Sequence, residues 1–127
     1  MITGCYNIKI DGTGRFYMPA NMLRHFEACD HYCVFAGEET EADGTPPLVF
    51  VPEDKTGENG QTMKKYKTPK DGRMRIPARY RESFSGECVL LGAGDFAELY
   101  TKEGYSALVK LDGETEDFLN GIDALVL

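Results

Sequence analysis

An internal repeat constrains the fold of this 127-residue chain more than any other feature of its sequence. Residues 8–26 read IKIDGTGRFYMPANMLRHF, and residues 66–84 read YKTPKDGRMRIPARYRESF. Aligned from their first letters, the two segments share lysine, glycine, arginine, proline, alanine and phenylalanine in the same order. Such an ordered set does not arise from composition alone, so the chain consists of two related halves.

Each half predicts the same series of local structures. A first strand runs into a glycine turn, where a positive φ is favourable, and a second strand follows. Proline then ends the strand ladder because it has no N–H to donate, and it is tolerated in the first turn of a helix. The predicted pairs are strands 6–10 and 64–68, strands Arg15–Met18 and Arg73–Ile76, and helices Ala20–Phe26 and Ala78–Phe84.

Two further apolar runs predict a hairpin at the end of each half. Cys33-Val34-Phe35 aligns with Cys88-Val89-Leu90, and Leu48–Val51 aligns with Ala97–Tyr100. The first hairpin has a long loop, 37–47, and the second a tight one, 92–95. A half of about fifty residues buries too little surface to fold comfortably alone, so the two halves are expected to complete one pseudo-symmetric domain.

The predicted organisation is a first repeat at residues 1–55, a linker at 56–63, a second repeat at 64–105 and a C-terminal helical tail at 106–127. The linker is polar and glycine-containing. The tail has an expected helix near 102–111 and then apolar residues at roughly helical spacing. That apolar face packs either on the body or on another subunit.

Charge is strongly segregated along the chain. The formal net charge is −7, yet residues 64–81 hold eight lysines and arginines against one aspartate. A concentrated basic segment on an acidic body is typical of a phosphate-binding surface. The alternative is a solvated basic face that matches an acidic face on a neighbouring subunit.

The residues give little support to an enzyme, a metal site or a membrane protein. The cluster His25, Cys29, His31 and Cys33 matches no common zinc spacing, so reduced thiols and no metal or other cofactor are expected. No nucleophile–histidine–acid arrangement or small-molecule substrate site is recognisable, so the chain is not expected to be an enzyme. Without a signal peptide or an apolar run of ~20 residues, a cytoplasmic protein with no membrane partner is expected.

Two segments together resemble the bacterial MraZ proteins over roughly residues 1–105. The first is Asp11-Gly-Thr-Gly14-Arg15 with Met18-Pro19-Ala20, and the second is DGRMRIPARYRESF followed by VLLGAGDFAELYTKEGY. MraZ proteins are built from two SpoVT/AbrB-type units that swap hairpins. The resemblance therefore implies a mainly β fold with short helices: a swapped-hairpin AbrB-type β-barrel of two tandem pseudo-symmetric repeats.

The resemblance also implies a function. MraZ proteins are transcriptional regulators that bind short repeated boxes in double-stranded DNA and assemble into homo-oligomeric rings. A cytoplasmic, nucleoid-associated location follows from that role. The family signature for DNA binding, Asp-x-x-x-Arg, is met by Asp11 and Arg15 in the first half. In the second half Arg73 is present, but Pro69 stands where the aspartate is expected.

An arginine that directly follows a glycine turn projects with little neighbouring bulk. Its guanidinium can bridge phosphate oxygens or bind guanine in the major groove, and Asp11 is expected to orient that of Arg15. Tyr17 and Arg75 share the strand face of these arginines. The further candidate phosphate contacts are Lys9, Lys67, Lys70, Arg75 and Arg79. Alternatively, Arg15 and Arg73 are partners in intersubunit salt bridges.

Two other functions stay open from the sequence. One is an AbrB-like antitoxin or protein-interaction module whose C-terminal tail binds a partner protein. The other is an oligomeric ring that has lost DNA binding through its net acidity.

Overall fold

Strand pairing in the computed structural model crosses repeatedly between the two halves of the chain. The structure describes residues 1–37, 45–57 and 64–111, so the long loop of the first hairpin, most of the linker and the tail after 111 lie largely or wholly outside the described residues. The elements of the first half are β1 (Cys5–Ile10), β2 (Arg15–Tyr17), α1 (Ala20–Glu27), β3 (His31–Ala36) and β4 (Leu48–Pro52). Those of the second half are β5 (Lys65–Lys67), β6 (Arg73–Arg75), β7 (Gly86–Gly92), β8 (Ala97–Thr101) and α2 (Lys102–Leu111). Short 3-10 turns cover Glu53–Lys55 and Ala78–Tyr80.

The strands form a six-stranded antiparallel sheet in the order β1-β7-β8-β4-β3-β5 and a separate ribbon, β2-β6. If each strand is replaced by its repeat counterpart in the other half of the chain, every strand pairing is reproduced. β1 pairs with β7 as β5 pairs with β3, while β2–β6 and β4–β8 are each their own counterpart. The repeat in the sequence is therefore a repeat in the pairing pattern as well.

The closed β-barrel implied by the resemblance is wrong for the described residues. The large sheet is open, with β1 at one edge and β5 at the other. Only three residues of β5 pair with β3, and the two three-residue strands β2 and β6 pair with each other. No described strand is therefore left to hydrogen-bond β1 to β5.

The hairpin strands of the two halves align one residue away from the sequence-based alignment. Ile8 faces Cys88 across β1–β7, and its repeat counterpart Tyr66 faces Tyr32 across β5–β3. Cys88 therefore corresponds to Tyr32, and Cys33 corresponds to Val89 rather than to Cys88. Burial follows this register, because 32–34 and 88–90 are the buried triplets.

The predicted second-half helix, Ala78–Phe84, is also wrong in extent, because only Ala78–Tyr80 forms a 3-10 turn. Its first-half counterpart α1 is a regular helix with Met22 and Phe26 fully buried. In the second half the side chain of Arg81 turns inward, and its Nε donates to the carbonyl of Ile76. The carbonyl of Pro77 accepts the N–H of Tyr80, three residues on, whereas the carbonyl of Pro19 in α1 also accepts the N–H of Leu23, four residues on.

One core joins both halves. Phe16 from the ribbon packs edge-on against Phe50 of β4, with ring centroids 5.6 Å apart. Tyr32 stacks between Phe50 and Tyr66. Phe26 and its repeat counterpart Phe84 belong to the same cluster. Among the described residues, no helix is long and apolar enough to cross a membrane.

Candidate nucleic-acid interface

The ribbon β2–β6 separates apolar from basic side chains. Phe16 and Met74 face each other at its centre and are buried, at 2 % and 0 % exposure. On the opposite face, the cross-strand partners are Arg15 with Arg75 and Tyr17 with Arg73. Alternation along each three-residue strand thus presents three arginines and a tyrosine on one surface.

The two glycine turns that precede these strands lie side by side. Gly14 and Gly72 have φ values of 78° and 79°, a region that favours glycine. The N–H of Met18 donates to the carbonyl of Gly72 at 3.1 Å, and that of Ile76 donates to the carbonyl of Gly14 at 2.8 Å. This reciprocal pair of bonds ties each turn to the strand of the other half, so Arg15 and Arg73 are held at fixed relative positions.

Asp11 organises the first turn and reaches across to the second half. Its Oδ1 accepts the N–H of Thr13 (2.9 Å), the hydroxyl of Thr13 (2.7 Å) and the N–H of Arg15 (3.0 Å). Its Oδ2 accepts from the guanidinium of Arg73 at 2.9 Å. These hydrogen bonds, led by that of the Thr13 hydroxyl, hold the pKa of the Asp11 carboxyl far below its usual range.

The prediction that Asp11 orients the guanidinium of Arg15 is therefore wrong. Asp11 contacts Arg15 through the backbone N–H and orients the guanidinium of Arg73 instead. The guanidinium of Arg73 also lies over the ring of Tyr17, 5.4 Å from its centroid. Sequence spacing alone misses this partner because the ion pair joins opposite repeats.

The second turn is built differently. Pro69 has neither a carboxylate nor an N–H to offer, and the Oδ1 of Asp71 accepts the N–H of Arg73 at 3.1 Å. Asp71 thus caps its own turn as Asp11 does. Among the described residues, no aspartate or glutamate of the second half reaches back to pair with Arg15.

A cleft of about 310 Å³ lies between the ribbon and β5. Its basic lining residues are Arg15, Lys67, Arg73 and Arg75, and the other residues lining it are Tyr32, Tyr66, Pro69 and Asp71. The buried hydroxyl of Tyr32 accepts the N–H of Arg75 at 3.2 Å. Burial raises the pKa of Tyr32, so this hydroxyl stays protonated.

Five of the eight residues predicted to bind DNA are thus brought together: Asp11, Arg15, Lys67, Arg73 and Arg75. Lys9 lines another cleft, with Glu87 and Lys102. Arg79 stacks on the ring of Tyr80, with its guanidinium carbon 4.8 Å from the centroid, and Lys70 is exposed in the second turn. The sequence pattern gives no indication that Tyr32 belongs to this site, because only the pairing of β3 with β5 brings it to the cleft.

The cysteines take no part in this surface. Cys5, Cys29, Cys33 and Cys88 are free thiols, and Cys33 is fully buried in β3. His31, from the cluster considered for zinc, lies 3.6 Å from Glu53. Within residues 1–37, 45–57 and 64–111, no group of three or more histidine, cysteine or acidic side chains is placed to hold a metal ion.

Fold and site together define a class of protein: a mainly β chain of two tandem repeats with an arginine-bearing ribbon on one surface. The family model for MraZ, described as "MraZ protein, putative antitoxin-like", matches residues 64–122. This match confirms the resemblance to MraZ proteins over residues 64–122. No curated protein matches the chain.

Proposed function

We propose that the protein is a sequence-specific, DNA-binding transcription regulator, without enzymatic activity, that contacts duplex DNA with the ribbon β2–β6. The observation that carries this proposal is the placement of Arg15, Arg73 and Arg75 on one face of the ribbon, with Lys67 beside them. Arginine is the side chain best suited to bidentate contacts with phosphate and guanine.

The shape of the ribbon supports the proposal. A two-stranded antiparallel ribbon is one of the few elements that fit into the major groove of B-DNA. Tyr17, at 66 % exposure, and the three arginines form the face that would enter the groove. The buried centre, Phe16 and Met74, anchors the ribbon to the core, so it meets DNA as a rigid element.

The charge distribution accommodates a polyanion despite a net charge of −7. Phosphate contacts act over a short range at physiological salt, because screening reduces interactions beyond about 8 Å. The local basic surface therefore governs the contact more than the distant acidic residues do.

A single ribbon offers only a few side chains to base edges, too few for high specificity alone. We propose that the chain acts as a homo-oligomer, with a ring as the preferred form, so that several ribbons engage repeated boxes at once. The nucleoid would then be its place of action.

The test is fluorescence anisotropy with a labelled duplex that carries the upstream region of the protein's own gene, at several salt concentrations. Arg15→Ala and Arg73→Ala are expected to weaken binding at least tenfold and to flatten the salt dependence. Arg24→Ala is the matched control, because Arg24 lines a different cleft on α1. Absence of binding by a folded wild type at low salt would refute the proposal.

The antitoxin-like description of the matched family favours a second candidate, an interaction module that binds a partner protein. The apolar residues of the tail after 112 are the expected contact. A chain that ends at residue 112 separates the two functions: it keeps DNA binding if the ribbon is the interface, and loses a protein partner if the tail is one.

A further inference from the structure

Two arginines face each other on the ribbon without a compensating acid. Arg15 and Arg75 are direct cross-strand partners on the same face. Like charges in this arrangement destabilise a pair of strands. Among the described residues, neither guanidinium lies within ion-pair distance of a carboxylate, whereas Arg73 is neutralised by Asp11.

The difference between the two halves explains this imbalance. Arg15 and Arg73 occupy equivalent repeat positions, as do Asp11 and Pro69. Asp11 pairs with the arginine of the opposite half, but the proline at the equivalent place cannot return the contact to Arg15. Asp71 lines the same cleft, and its Oδ1 is engaged by the N–H of Arg73.

The hydroxyl of Tyr32 provides a hydrogen-bond donor at the same cleft. The hydroxyl of Tyr32 lines the cleft and accepts the N–H of Arg75, and its own proton has no acceptor among the described residues. Tyr32 is 1 % exposed, and a buried hydroxyl of tyrosine usually finds a partner. A ligand oxygen in the cleft would supply that acceptor.

We propose that Arg15, Arg75 and Lys67, with the hydroxyl of Tyr32, form a phosphate-binding subsite. Arg73 is not part of this subsite, because its guanidinium is paired with Asp11. The ligand of the subsite is a single phosphate group, and the cleft of about 310 Å³ is large enough to hold one. The inference deepens the proposed function: on DNA, Arg15 with Arg75 would clamp the backbone, while Arg73, held by Asp11, remains for base contacts.

Inorganic phosphate is the direct probe, followed by NMR of the arginine Nε–Hε signals at constant ionic strength. Saturable shifts are expected for Arg15 and Arg75 in the wild type. Pro69→Asp restores the missing acid opposite Arg15 and is expected to weaken phosphate binding at least tenfold, as is Arg75→Gln. Pro69→Asn, similar in shape to Pro69→Asp but uncharged, is the matched control and is expected to bind phosphate at least tenfold more tightly than Pro69→Asp.

Equal or unsaturable shifts in all four proteins, with native circular dichroism, would overturn the subsite. The same variants on labelled DNA separate this result from failure of the proposed function. Saturable phosphate binding without DNA binding would support the subsite and refute the role as a DNA-binding regulator. If Arg75→Gln keeps the wild-type DNA affinity and salt dependence and no saturable phosphate binding is seen, the subsite is refuted and the role as a DNA-binding regulator is not.

Discussion

The carboxylate of Asp11 and the guanidinium of Arg73, 62 positions apart in the chain, meet at 2.9 Å across the two repeats. The same carboxylate caps the turn that leads into Arg15. Asp11 therefore fixes the turn before Arg15 in the first repeat and neutralises Arg73 in the second. Arg15 and Arg73, although at equivalent repeat positions, are chemically different as a result.

Replacing Asp11 by asparagine is expected to lower stability at neutral pH, with an effect that fades in acid. The folded-state pKa of Asp11 lies below its ordinary value of 3.8, so its contribution is complete above that value and declines as the pH falls below it. Urea unfolding midpoints of wild type and Asp11→Asn at pH 7, 5, 4 and 3 measure the difference. A gap as large at pH 3 as at pH 7 would show that lost charge is not the cause.

The two glycines with positive φ in these turns, Gly14 and Gly72, should tolerate no side chain. Gly72→Ala places a Cβ at a φ of 79° and 2.9 Å from a methyl carbon of Leu23, so we expect destabilisation of more than about 1 kcal/mol. Gly12→Ala is the control in the equivalent first turn, because a Cβ there meets nothing within 4 Å and its φ is not positive. Chemical denaturation compares the two. Equal stability would contradict a strained turn at Gly72.

The ribbon should depend on its buried centre. Phe16→Ala removes a ring that is 2 % exposed and packs on Phe50, which is expected to cost about 3–5 kcal/mol. Val109→Ala removes methyl groups from an exposed position of α2 and should change stability by no more than about 0.5 kcal/mol. Thermal and denaturant unfolding measure both. A small loss for Phe16→Ala would mean that the ribbon is not anchored to the core.

Tyr17 should matter for binding rather than for folding. Its exposed ring lies under the guanidinium of Arg73, and contacts of this kind contribute about 0.5–1 kcal/mol at exposed sites. Tyr17→Ala is therefore expected to weaken DNA binding by about twofold to fivefold, while Tyr17→Phe keeps the aromatic face and the affinity. Anisotropy titrations with both variants give the comparison. If Phe is as damaging as Ala, the hydroxyl and not the ring makes the contact.

Much of the local structure follows from short sequence patterns. Proline and glycine positions predicted the turns at Gly14 and Gly72 and the ends of β2 and β6, because backbone conformation at these residues depends little on distant contacts. The alternation Arg-Phe-Tyr and Arg-Met-Arg likewise predicted which side chains share a face. The helix α1 was predicted to within one residue, since its apolar spacing and preceding proline agree.

The errors have a common physical origin. The slip between Cys33 and Cys88 arose because several apolar residues in succession fit a buried strand in more than one register. The segment after Pro77 forms only a 3-10 turn, and the side chain of Arg81 folds back onto the carbonyl of Ile76, a contact that no local propensity contains.

The sequence by itself determined the two-fold repeat, the glycine turns and the concentration of basic residues between 64 and 81, since all of these are properties of neighbouring residues along the chain. The tertiary structure decided which strands pair, that the sheet stays open, and that Asp11 binds Arg73 and leaves Arg15 opposite Arg75. Hydrogen-bond and ion-pair partners far apart in the chain are selected by how the two halves pack together, and the local pattern around each residue does not encode that choice.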